Sequence, residues 1–209
     1  SDYETDFDEQ KGLVEELRLV SAPGTHFDYV AGFFFQHLQG INGQEQWLPG
    51  QTFFSTLAGV PGADPATGDV NFIVSNATDF LDRALFGELT WHATDRWQIT
   101  GGARFFKQDF SSSSYSALPY CGPYCGTGIL GVTDVSGGYS TNSHIAKLNT
   151  SYKVSDTLNA YINYAEGFRR GGANAIPLSG PFEVSSDLLI YKPDKTKNYE
   201  IGAKGNLSP

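Results

Sequence analysis

Apolar and polar residues alternate one by one through segments of about ten residues, and these segments are joined by connections of alternating length. A period of two is the signature of a strand with one apolar face. Trp97, Ile99, Gly101, Ala103 and Phe105 share one face, against Gln98, Thr100, Gly102 and Arg104 on the other. Leu158, Ala160, Ile162 and Tyr164 oppose Asn159, Tyr161 and Asn163, and Tyr199, Ile201 and Ala203 oppose Glu200, Gly202 and Lys204. Ala146, Leu148, Thr150, Tyr152 and Val154 form another such stripe, as do Phe27, Tyr29, Ala31, Phe33 and Phe35, then Leu85, Gly87, Leu89 and Trp91. With a short strand at Glu16–Val20, the pattern predicts an all-β, antiparallel chain of about seven strands.

Short links are expected at Ser21–His26, Ala93–Asp95 and Ser155–Thr157, and long ones near 38–80, 110–143 and 169–196. Structureless connections of that length do not suit a compact soluble domain. Tight turns at one end and long loops at the other are the pattern of an outer-membrane barrel, with periplasmic turns and extracellular loops. A three-residue turn at Ala93-Thr94-Asp95 sets Trp91 opposite Trp97 and Leu89 opposite Ile99. The same spacing at Ser155-Asp156-Thr157 sets Val154 opposite Leu158 and Tyr152 opposite Ala160. Trp91, Trp97 and Tyr152 then cluster at the turn end, where an interfacial aromatic girdle belongs.

The rival architecture is a soluble β-sandwich or lipocalin-like barrel, whose apolar stripes share a core. Arg104, Lys147, Lys153, Lys204, Glu88 and Glu200 stand at mid-strand on the polar face, as a wet lumen permits. The apolar face mixes Gly, Ala and Thr with aromatics, which suits lipid better than a packed core. No run approaches 18 apolar residues, so no transmembrane helix is expected. A net charge of −9 argues against nucleic acid, which demands Lys and Arg to neutralise phosphates. With no Met among its 209 residues, the chain reads as a processed protein or a piece of a longer one.

Several segments, taken in order, resemble the TonB-dependent outer-membrane receptors. They are Glu15-Glu16-Leu17-Arg18-Leu19-Val20-Ser21 followed by Phe27–Phe35; Leu85–Thr90 leading into Thr94-Asp95-Arg96-Trp97 and Gly101–Phe105; Tyr161–Arg169 followed by Gly171-Gly172 and Asn174; and Lys192–Lys204. The resemblance covers nearly the whole chain. It implies that residues 1–209 are an interior part of a 22-stranded barrel, whose plug domain and remaining strands lie elsewhere. It further implies a Gram-negative outer membrane as location, active import of a scarce nutrient such as a ferric siderophore, energy from the TonB complex acting through the plug, and contact with outer-membrane lipid and lipopolysaccharide. The alternatives are a passive outer-membrane channel and a soluble carbohydrate-binding β-domain.

Binding rather than covalent chemistry is expected; the reading nominates no catalytic residue, cofactor or metal site, and the chain is not read as an enzyme. Arg169 and Arg170 stand where a strand gives way to an outer loop, placed to attract an anionic chelate or to meet lipopolysaccharide or neighbouring carboxylates. Trp47, Phe53, Phe54, Tyr115, Tyr120, Tyr124 and Tyr139 lie on the expected long loops, where rings stack on a ligand or on each other. Trp47, Tyr120 and Tyr124 join the two arginines as candidate ligand contacts. Cys121 and Cys125, close together in a Gly/Pro/Tyr-rich stretch, read as a loop disulfide formed in an oxidising compartment; metal ligation would need partners beyond His144, the nearest histidine. Gly126–Gly131 spells GxGxxG without the preceding strand and following helix that a nucleotide site requires. His26, His37, His92 and His144 show no metal-ligand spacing.

Overall fold

The computed structural model describes residues 2–22, 24, 26–59, 69–118, 130–174 and 184–205. Seven long strands form one antiparallel sheet in the order β1-β2-β3-β4-β5-β6-β9: β1 Tyr3–Val20, β2 Phe27–Trp47, β3 Val70–Thr94, β4 Trp97–Leu118, β5 Leu130–Ser155, β6 Leu158–Arg169 and β9 Asp194–Gly205. A helix α1 (Gln51–Leu57) follows β2, and a two-stranded ladder of β7 (Gly172–Ala173) and β8 (Ile190–Tyr191) lies between β6 and β9.

The strand count agrees with the alternation, but the strands are far longer than expected. β1 reaches back to Tyr3, and β2 to β5 run through much of 38–80 and 110–143, the stretches read as loops. Backbone pairing needs no apolar side chain, so polar runs continue the ladder: Ser111–Ser114 pairs with Asp79–Asn76 on one side and Gly138–Val135 on the other. The long connections shrink to 48–69, 119–129 and 170–193, and the short ones stay at the opposite end of the sheet.

Two turns differ in register from the parity expectation. Thr94 pairs with Trp97 and Trp91 with Ile99, so the loop is Asp95-Arg96 and a bulge between His92 and Thr94 absorbs the extra residue. Thr94 Oγ1 holds this turn by accepting from the amides of Arg96 (3.2 Å) and Trp97 (3.0 Å). Leu158 likewise faces Ser155 instead of Val154, while Tyr152–Ala160 pairs as expected. Face parity survives in both, and Trp97 lies directly opposite Tyr152.

One face of the sheet is apolar over a limited height. Its rows run Phe27-Trp91-Ile99-Thr150-Ile162-Ile201, then Tyr29-Leu89-Gly101-Leu148-Tyr164-Tyr199, then Leu19-Ala31-Gly87-Ala103-Ala146, then Leu17-Phe33-Leu85-Phe105-His144. These side chains are open: Leu17 is 74% exposed, Phe105 61% and Ile201 81%. On β4 the band spans 97–105, matching the ~9–11 residues with which a tilted strand crosses a bilayer. The next row, Glu15-Phe35-Arg83-Lys107-Asn142, is already charged.

The opposite face is polar low down, where Thr90 and Thr100 share a 2.8 Å hydrogen bond and Lys147 pairs with Glu88. Higher up it holds the most buried residues of the described chain, Phe80, Asp82, Ala84, Phe106, Gln108, Ser112 and Ser114 among them. Their burial comes partly from β6, which leaves β5 after Ala165 and sets the Phe168 ring edge-on against Phe106, centroids 4.5 Å apart.

Candidate functional site

Above the band, the polar face carries an aromatic row, Leu38-Phe80-Phe110-Tyr139, over a hydrogen-bonding row, Gln36-Asp82-Gln108-Thr141. Phe110 and Tyr139 stack at 5.4 Å. Burial pushes the Tyr139 phenol above its ordinary range, against the pull of the Arg170 charge and the Gly171 amide. Asp82, 6% exposed, accepts from Arg104 Nη2 (3.3 Å) and Gln108 Nε2 (3.2 Å), and the Arg104 guanidinium lies 4.7 Å over the Phe34 ring.

The segment after β6 folds back across this wall. Gly171 packs so closely that an added Cβ would lie 2.5 Å from the Tyr191 carbonyl and 2.7 Å from the Tyr139 ring. Ile190 fills the space that the missing side chain of Gly137 leaves open, and Leu189 is 2% exposed. Asn174 ties the segment to itself, donating from its backbone N to Leu189 O and from its side chain to Leu188 O, both at 2.7 Å.

This return brings Arg170 4.7 Å over the Phe80 ring, at the wall of a cavity of about 240 Å³. Asn42, Asn76, Thr78, Ser112 and Tyr191 supply its polar lining. The Ser112 hydroxyl, on a residue 3% exposed, meets no hydrogen-bonding partner among the described residues. Guanidinium, amides, hydroxyls and rings in one recess suit non-covalent capture of an oxygen-rich anionic ligand. Among the described residues no group of three or more His, Cys, Asp or Glu is arranged to hold a metal ion.

The sequence candidates separate here. Arg170 lines the cavity, whereas Arg169 is engaged in a two-pronged ion pair with Asp194 (Nε–Oδ1 3.1 Å, Nη2–Oδ2 2.5 Å). Trp47 lies at the far end of the β1–β2 ladder, stacked on Tyr3 at 6.0 Å, in the side-chain parity of Leu17. Tyr120, Tyr124, Cys121 and Cys125 lie outside the described residues. Phe80 and Ser112 were hidden in stretches read as loops; the signal that could have found them is the continuing alternation of Phe106, Gln108 and Phe110 into the serine run.

Residues 3–209 match the family model of the TonB dependent receptor-like β-barrel. The pesticin receptors of Yersinia enterocolitica and Yersinia pestis are 31% identical over 121 residues, which is 58% of this chain and 16% of theirs. Of solved structures, the ferric yersiniabactin uptake receptor FyuA from Yersinia pestis has the same fold over 100% of this chain and 28% of its own, with a TM-score of 0.74 at 20% identity. The closed form of the ferric-catecholate import receptor Fiu from E. coli K12 matches 96% of this chain and 29% of its own, with a TM-score of 0.56 at 19% identity. The chain thus spans between 16% and 29% of the length of these proteins.

Proposed function

Because this chain belongs to the TonB-dependent receptor β-barrel family, we propose that it is part of the wall of a Gram-negative outer-membrane receptor that binds a ferric siderophore and imports it with energy from TonB. The rest of the polypeptide supplies the remaining strands and the plug on which TonB acts. Relatives named as receptors for ferric yersiniabactin and ferric catecholates support the ligand class. The observation that carries the reading to particular residues is the Arg170 guanidinium, 4.7 Å over the Phe80 ring beside a polar recess at the long-loop end of the sheet.

The experiment is a binding titration of the full-length receptor with ferric yersiniabactin and with a ferric catecholate. Arg170→Ala is expected to weaken the better ligand about tenfold or more, the scale of one lost charge-assisted contact. Arg169→Ala is expected to change the affinity less than about threefold, because its charge is committed to Asp194. Binding of neither chelate, together with ion conductance that needs no energy source, would establish a passive channel instead.

A further inference from the structure

We infer that Ile190 and Gly137 are positioning residues for the ligand contact of Arg170, a role that rests on the receptor reading above. The Ile190 side chain, seated in the notch that Gly137 leaves in the wall, fixes where the guanidinium stands. Arg170 is the first residue beyond the β6–β9 ladder, whose last pair is Arg169–Asp194. Two glycines follow it, the residue type that loses most conformational freedom on ordering. The ladder thus stops short of Arg170, and its place over Phe80 is set by what ties down the chain beyond Gly172.

That tie is side-chain packing. β7 and β8 pair with each other, Gly172 with Tyr191 and Ala173 with Ile190, in a sheet separate from the wall. A shift of Ile190 therefore carries Ala173 with it, three residues from Arg170. Gly137 on β5 lies directly opposite Ser112 on β4, so the notch opens beside the cavity that Ser112 and Arg170 both line. A Cβ on Gly137 would lie 2.8 Å from Ile190 Cγ1, 3.4 Å from Ile190 Cδ1 and 3.8 Å from Leu189 Cδ2. All three are side-chain atoms of the returning segment. The neighbouring Gly138 is the contrast, since a Cβ there would meet the β4 backbone at Phe110 and Ser111. A methyl group at 137 is felt by the returning segment, and one at 138 by the sheet.

Seating Ile190 orders Arg170 before any ligand arrives. On a loose chain, the cost of immobilising the arginine falls on the binding step and weakens it. The Ser112 hydroxyl, buried and without a hydrogen-bonding partner among the described residues, is fixed by its strand. A ligand oxygen that meets Ser112 is presented to the guanidinium while the segment is seated, and loses that second contact when it lifts.

The test is a titration of the full-length receptor in detergent with ferric yersiniabactin and with a ferric catecholate, followed for whichever binds tighter. Gly137→Ala, which crowds the seat, and Ile190→Ala, which empties it, are each expected to weaken that chelate about fivefold or more. Once Arg170→Ala is present, either change is expected to cost less than about twofold, because both act through the same contact. Leu188→Ala, on the same segment with its side chain exposed, is expected to leave the affinity within about twofold. Hydrogen exchange at the Asn174 amide, which is bonded to Leu189 O at 2.7 Å, reads the seating without ligand and is expected to quicken in both seat variants. Losses that simply add to that of Arg170→Ala overturn the inference, and so does weakened binding with unchanged exchange. Unchanged affinity in both seat variants, in a receptor that Arg170→Ala does weaken, overturns it and leaves the receptor reading standing. A receptor that binds neither chelate removes both.

Discussion

Asp69 receives backbone N–H groups from Gly50 (2.9 Å, Oδ2) and Thr52 (3.1 Å, Oδ1), the two residues that flank the start of α1. Those amides hold its carboxyl below the ordinary carboxylate range, Gly50 contributing most. A depressed pKa stabilises the folded loop above the unfolded value of about 3.9 and loses that effect as acid takes the pH down through the folded value. Amide exchange at Gly50 and Thr52, corrected for intrinsic rates, is therefore expected to rise several-fold at acid pH, and Asp69→Asn to produce the same opening at neutral pH. An acid response as large in Asp69→Asn as in the unaltered protein would assign the effect to another group. The two arginines mark the limit of sequence reading at this scale. Arg169 and Arg170 are neighbours of one type, and what separates them is where β6 ends, which places Asp194 opposite the first and Phe80 under the second.

Strands were legible wherever an apolar stripe alternated with polar residues, and illegible where both faces are polar. The run Ser111–Ser114 has no hydrophobic pattern of its own, yet Ser112 and Ser114 are buried and Ser111 and Ser113 exposed, an alternation legible only by extending that of the preceding residues. Register was legible to parity and no further, because a one-residue bulge at His92–Thr94 keeps every side chain on its face while changing its partner. Glycines within the strands differ in the same hidden way. A Cβ on Gly138 would lie 2.3 Å from the Phe110 carbonyl oxygen and 3.2 Å from the Ser111 Cα, and neither backbone atom can yield without breaking the ladder. A Cβ on Gly101 meets nothing within 4 Å and points from the apolar band. In the full-length receptor, Gly138→Val is expected to cost about 1–3 kcal/mol through overpacking, and Gly101→Val to be near neutral. The amount of heat-modifiable, folded receptor in outer membranes checks both: equal yields for the two variants would mean that the β4–β5 ladder is looser than its geometry.

Seven strands in one sheet leave two edges, and both outer strands here are long. Every residue of β1 from Tyr3 to Val20 is exposed, and among the described residues β9 pairs with β6 alone. An unpaired row of N–H and C=O groups recruits other chains in water and costs several kcal/mol per group in a bilayer. The same apolar band that suits lipid on one face has no packed core behind it, since the other face there carries Thr90, Thr100, Glu88, Lys147 and Arg104 beside a few apolar residues. The band and the edges pull in opposite directions for an isolated sheet: lipid is required by the first and forbidden by the second. Two arrangements resolve the conflict, pairing of β1 with β9 or further strands on both sides; the proposed receptor barrel uses the second, and a chain covering 28% of the ferric yersiniabactin receptor's length leaves room for it. On that proposed reading closure belongs to the further strands, which is why it was not legible here. Residues 1–209 expressed alone are expected to aggregate and to show no heat-modifiable monomer. The natural polypeptide, extracted from outer membranes with detergent and then denatured, is expected to have a mass several times 22.7 kDa. A folded monomer at 22.7 kDa would require β1 and β9 to pair with each other, a small closed barrel with no room for a plug, and the transport mechanism would go with it.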